Sequence, residues 1–252
     1  MTRKIFHIML CIGCFVLFPC TGKAQIVNVE TLRFLQDTNG LVGQLQGSIR
    51  QKVDEIMTIS ASGGVHVAYK YNKHSALANF STEYGKVDEA EIANNLFIHM
   101  RYNYSFTPVL IGEAFLQTKY DDFLNIKRRD LYGTGIRLKI YHADKLKFYG
   151  GITGMFEHEE LSGGLKSDIF RMSDYISLFV KESSFELTST FYYQPWVADF
   201  TNYRLAWSNQ VSVALYKKFR IGFFYDAGYD SKRPEPIKKY VYDIRGMLAF
   251  RF

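Results

Sequence analysis

From Gly40 to its end the chain alternates apolar and polar residues with a period of two, which predicts strands with one greasy and one polar face. The last segment shows it most cleanly. Tyr240, Tyr242, Ile244, Gly246, Leu248, Phe250 and Phe252 share one face, while Lys239, Asp243, Arg245 and Arg251 fall on the other. Twelve such segments can be marked, at about 41–52, 56–70, 74–84, 92–106, 109–120, 127–141, 146–158, 168–181, 185–195, 201–217, 219–230 and 238–252. They are longer than the ~5–6 residues of ordinary soluble strands and suit a bilayer crossing. An even number closes a ring and puts both termini on one side.

The gaps between segments support the same architecture. Those at 53–55, 85–91, 121–126, 159–167, 196–200 and 231–237 are mostly longer than those at 71–73, 107–108, 142–145, 182–184 and 218. Alternating long and short connections are expected when extracellular loops are longer than periplasmic turns. Pro108, Pro195, Pro234 and Pro236 fall in turns, loops or a strand end, where a missing N–H breaks no ladder. The expected fold class is therefore all-β, a twelve-stranded antiparallel transmembrane β-barrel spanning residues 41–252 with short periplasmic turns and longer extracellular loops. A terminal Phe252, with Phe250 before it, is the expected assembly signal for barrel insertion.

The first residues change the picture by adding an address. Arg3 and Lys4 precede an apolar run from Ile5 to Phe18, and Gly22 and Ala24 sit at −3 and −1 of a cleavage site. Residues 1–24 thus read as a signal peptide, the apolar run being short of the ~20 residues that span a bilayer as a helix. Residues 25–40 lack a sustained period and are expected to form a periplasmic lead-in or a segment at the barrel mouth. Cys11, Cys14 and Cys20 all lie in the leader, which excludes disulfides and thiolate chemistry from the remainder.

The net charge of +6 falls to +3 once Arg3, Lys4 and Lys23 are removed, too mild and too evenly spread for a nucleic-acid partner. The aromatic content of 16% is what two interfacial girdles require. The expected location is the bacterial outer membrane, and the expected partners are its lipid and lipopolysaccharide and the barrel assembly machinery.

Alternation also nominates the inner face. His99, Arg101 and Asn103 from the fourth segment, Glu113 and Gln117 from the fifth, Arg137 and Lys139 from the sixth and Arg171 from the eighth should line the lumen. So should Glu186 from the ninth, Arg204 from the tenth, Asp226 from the eleventh, and Asp243 and Arg245 from the twelfth. Two functions remain open on this evidence. The charges either pair and fill a structural barrel, or their basic excess lines a narrow pore that favours anions.

Other chemistry finds little support. His99 has no serine two residues away, and Ser60, Ser62 and His66 share a face without an acidic third member, so no hydrolytic triad assembles. His66, His74, His99, His142 and His158 are scattered one per segment; Asp121-Asp122 and Glu157-His-Glu-Glu160, near outer loops, read as solvated acidic loop residues ahead of the alternative, a divalent cation shared with lipopolysaccharide. No metal, cofactor or catalytic residue is expected. A lipid-modifying barrel enzyme is the alternative from another class, and a surface-loop adhesin a third.

His99-Met-Arg-Tyr-Asn-Tyr104, Glu113-Ala-Phe-Leu-Gln117, Arg129-Asp-Leu-Tyr-Gly-Thr-Gly-Ile-Arg137 and Tyr192-Tyr-Gln-Pro195, in that order before a terminal Phe, carry a family likeness. In this the chain resembles the domain of unknown function 481 family, also described as salt-induced outer-membrane proteins. The resemblance implies an outer-membrane barrel and a link to salt conditions, and it brings no ligand or catalytic residues with it. It extends to residues 25–40, which argues against their being dispensable.

Overall fold

The computed structural model describes residues 39–53, 57–87, 91–232 and 239–252; the leader at 1–24 and nearly all of the lead-in at 25–40 lie outside the described residues. Twelve strands follow one another: β1 (Gly40–Val53), β2 (Met57–Tyr71), β3 (His74–Val87), β4 (Glu91–Ser105), β5 (Leu110–Asp121) and β6 (Ile126–His142). The second half comprises β7 (Leu146–Leu161), β8 (Lys166–Glu182), β9 (Phe185–Trp196), β10 (Asp199–Tyr216), β11 (Phe219–Asp230) and β12 (Tyr240–Arg251). Each pairs antiparallel with its neighbours in sequence, and β1 pairs with β12, so the sheet is a closed barrel.

Closure leaves no free edge, which lipid would not tolerate. The seam is tied at the chain terminus, where the Gly43 N–H donates to the Phe252 carbonyl at 2.8 Å and the Phe252 N–H returns to Gly43 at 2.9 Å. Gly43 lets the terminal ring lie against the seam, since a Cβ there would sit 2.3 Å from the Phe252 ring and push it aside.

The two-residue turns at 72–73, 183–184 and 217–218 place Asn72, Ser183 and Lys217 at positive φ, as tight hairpins demand. At the opposite end the strands run further than the hydropathy pattern marks, leaving connections at 122–125, 162–165 and 197–198 and a longer one at 231–239. Asp121 caps the short 3-10 turn Asp122–Leu124 by accepting from the Leu124 N–H.

The two faces sort by chemistry in the direction lipid dictates. Leu45, Phe80, Met100, Leu116, Ile136, Ile152, Ile176, Phe223, Ile244 and Leu248 are exposed on the outer wall. Buried positions are largely polar, among them Gln44, Asn79, His99, Glu113, Arg137, Glu157, Arg171, Thr190, Ser208 and Asp226. An apolar exterior around a polar core is the reverse of a soluble sandwich.

Candidate functional site in the lumen

Three tiers of charge line the inside, set by which strand ends meet. Near the inner turns, Glu186 on β9 accepts from Arg251 on β12 at 3.1 Å and pairs with Arg220 on β11 at 3.3 Å. Gln44 on β1 also lies within 3.5 Å of Arg251. This links four strands across the seam side of the barrel.

The middle tier is built on β4 to β8. Glu113 lies 3.6 Å from an Arg101 nitrogen and 3.8 Å from one of Arg137, and accepts a hydrogen bond of 2.7 Å from the Tyr175 hydroxyl. Tyr175 belongs to β8, three strands away from β5. It reaches across because Gly151 on the intervening β7 has no side chain; a Cβ there would lie 2.3 Å from the Tyr175 ring. Phe115 likewise lies over Gly133, with only 2.3 Å to an added Cβ.

Inward glycines on β6 and β7 thus let aromatic rings lie flat and carry the tier toward the axis. Arg137 stacks on Tyr149 at 3.9 Å, a cation–π contact that holds the guanidinium against the wall. Arg101 donates to His99 at 3.3 Å, and His99 in turn bonds Gln117 at 3.1 Å. Asn103 continues this face by donating to Ser75 at 3.1 Å, and Lys139 lies half-buried on the inner face of β6.

The outer tier centres on Glu157, which is 0% exposed. It accepts both oxygens' worth of hydrogen bonds from Arg204 at 2.7 and 2.8 Å and lies 3.2 Å from Arg171. Arg204 also donates to Asp230 at 2.8 Å, and Arg129 pairs with Glu159 beside it. On the far wall Asp226 takes a bond from Ser208 and one of 2.7 Å from Arg245, whose Nε reaches Asp243.

Burying a charge is costly unless opposite charge and hydrogen bonds meet it. Here bases and acids meet in every tier. Between the middle and outer tiers a cavity of about 170 Å³ remains, lined in part by His99, Gln117, Met155, Tyr192 and Gln194. On the scale where an engineered cavity of about 150 Å³ takes up benzene, that is room for several waters or one small molecule. Around it, among the described residues, the inner face is crowded by its own side chains.

All thirteen residues nominated for the lumen sit on inward-facing positions of their strands. The basic excess among them is offset by acids that the alternation count did not include. Glu83 on β3 accepts from Ser60 at 2.6 Å, and Glu157, Glu159 and Asp230 hold Arg171, Arg204 and Arg129. Glu157 had been placed with a solvated loop. Extending β7 by the parity of Tyr149 and Thr153 puts it inside, because the strand runs to Leu161.

Ser60 does have a carboxylate neighbour, but His66 bonds Asn79 at 2.8 Å instead of a serine, so no nucleophile and base meet there. Among the described residues no three His, Cys, Asp or Glu side chains converge as a metal site.

Comparison with known proteins bears on the whole barrel. The family described as "Protein of unknown function, DUF481" matches residues 57–245. No curated protein sequence matches the chain. Among solved structures, the NanC porin is similar with a TM-score of 0.52 at 9% identity, covering 84% of this chain and 98% of that one. An outer-membrane channel from Pseudomonas putida is similar with a TM-score of 0.51 at 10% identity, covering 94% of this chain and 100% of the other. At such identities the likeness is one of fold.

Proposed function

This chain belongs to the DUF481 family, and from that premise and the lumen geometry we propose that it is an outer-membrane barrel forming a narrow pore closed at rest by its own side chains. The observation that carries the reading is the middle tier. Glu113 is the acid between Arg101 and Arg137, and Tyr175, reaching past β6 and β7 to bond it, fixes all of them below the cavity.

Solute entering from the outer end meets Arg129, Arg204 and Asp230 and then this tier. Glu113 and Glu186 each face two arginines. Over the whole lumen, however, Glu83, Glu157, Glu159, Asp226, Asp230 and Asp243 nearly balance the basic residues, so the closed barrel presents little net field to steer ions of either sign. Passage requires the Glu113 cluster to loosen. That the two similar structures are a porin and an outer-membrane channel supports this reading.

Export by residues 1–24, residence in the outer membrane and insertion by the assembly machinery through Phe252 belong to the same proposal. So does the reading that the barrel is not catalytic, supported by Ser60 and Ser62 bonding Glu83 and Ser48 while His66, the candidate base, bonds Asn79. Liposome swelling tests it. Wild-type barrels should admit small solutes slowly or not at all, and Glu113→Gln should raise the rate by roughly tenfold, as expected where a buried charged hydrogen bond worth ~1.5–3 kcal/mol holds the closed state. Equal, rapid swelling by both would refute the closed lumen.

A further inference from the structure

Asp174 breaks the rule that the outer wall obeys. It sits on β8 with the parity of Phe170 and Ile176, each 52% exposed, eight residues from either end of the strand Lys166–Glu182. Its paired neighbours are Ile152 on β7 and Tyr193 on β9. Its Oδ1 is buried without a hydrogen-bond partner. An ionisable group at mid-strand on the apolar wall is expensive and marks a site, since hydrocarbon tails offer it no donor.

Two polar side chains on the same wall, two strands and one strand away, can supply donors. Barrel strands tilt by ~35–45°, and the direction shows in the lumen. Arg204 on β10 bonds Glu157 on β7, four positions further out than Thr153 in its own row, so rows climb toward the outer end from β7 to β10. That climb offsets most of the four positions separating Asn209 from Leu205, the β10 residue in Asp174's own row. Asn209 spends one amide hydrogen on the Tyr225 carbonyl at 3.3 Å, leaving the second to give. Ser189, between them on β9, accepts from Trp207 at 3.0 Å and keeps its own hydroxyl proton. A carboxylate and an amide donor thus lie side by side, two strands apart, on either side of β9.

We propose that this face binds a second copy of the chain, with a two-fold axis at β9 setting each Asp174 against the partner copy's amide donor at position 209. An isologous interface needs a self-complementary patch, and acceptor beside donor is one. The wall also permits close approach, because the outward position Gly150 carries no side chain and opens a groove between Ile136, Leu138 and Ile152. Polar contacts inside a bilayer supply the specificity that lipid-facing apolar surface lacks. The inference goes beyond the pore reading and rests on its membrane-embedded barrel.

Disulfide trapping in the outer membrane tests it on barrels recognised as folded by heat-modifiable migration. The native cysteines, Cys11, Cys14 and Cys20, all lie in the leader proposed to be cleaved, so in the processed barrel an introduced thiol reports on itself alone. Phe191→Cys on β9 should trap a dimer, and Phe80→Cys on the opposite wall should not. Adding Asp174→Leu should weaken association roughly tenfold, two symmetry-related bonds being lost together, while Asp174→Asn should retain most of it.

Trapping that is equal at both positions, absent at Phe191→Cys, or indifferent to Asp174→Leu overturns the proposal. Failure of the pore reading would show instead as free solute entry, with trapping unchanged.

Discussion

Glu157→Ala is the sharpest perturbation of the lumen. The carboxylate is 0% exposed and holds Arg204 by two hydrogen bonds and Arg171 by an ion pair. Removing one partner of a buried pair costs about 3–5 kcal/mol because the survivor is left desolvated and unpaired. Arg204 keeps Asp230 at 2.8 Å and Glu159 at 3.5 Å, and Arg171 keeps the Gln194 and Asn202 carbonyls.

The cost therefore falls at the lower end, about 3 kcal/mol, or roughly a hundredfold in the folded-to-unfolded ratio. Reversible urea unfolding from bilayers measures it. Combining Glu157→Ala with Arg204→Ala should show a coupling of at least about 1 kcal/mol. The exposed pair Lys145–Glu182, 71% and 62% exposed, serves as the control and should contribute almost nothing. A Glu157→Ala barrel no weaker than Glu182→Ala, or a cycle without coupling, would refute the claim that lumen pairing stabilises the closed core.

Other substitutions test separate links. Gly151→Val should lift the Tyr175 ring, break its bond to Glu113 and raise conductance with little loss of folded protein, readable by bilayer recording beside heat-modifiable migration. Gly135→Ala should be worse for stability, since its Cβ would meet the Ile152 carbonyl oxygen at 2.2 Å, and backbone cannot swing aside; a loss of about 1–3 kcal/mol is expected in the same urea assay. Deleting Phe252, or making Gly43→Val beneath its ring, should sharply lower the fraction of barrel assembled in the outer membrane, scored by fractionation and protease resistance.

The period-two pattern contained the barrel because lipid and lumen impose opposite chemistry on alternate residues. Tyr102 and Met100 can only face out if Arg101 and His99 face in. The pairing was not legible, since it depends on which strands meet across the lumen. Nothing local to Tyr175 announces that Gly151 clears its way to Glu113, and nothing local to Arg251 names Glu186, 65 residues earlier.

Glu157 was misplaced because His158, Glu159 and Glu160 around it resemble a solvated loop. The strand length that draws it inward is set by pairing with β6 and β8. Asp174 was overlooked for another reason. Placing Arg171 inward already turns Asp174 outward by parity, but a single polar residue does little to disturb the pattern of a long strand and draws no notice.

Single-channel recording of the folded chain in a planar bilayer under a salt gradient tests the closed pore most directly. Wild type should be silent or show rare, small steps with a reversal potential near zero. Glu113→Gln, which leaves Arg101 and Arg137 without their shared acid, should give discrete steps with an anion-biased reversal potential. Large, persistent wild-type steps, or a Glu113→Gln barrel as quiet as its parent, would contradict the account.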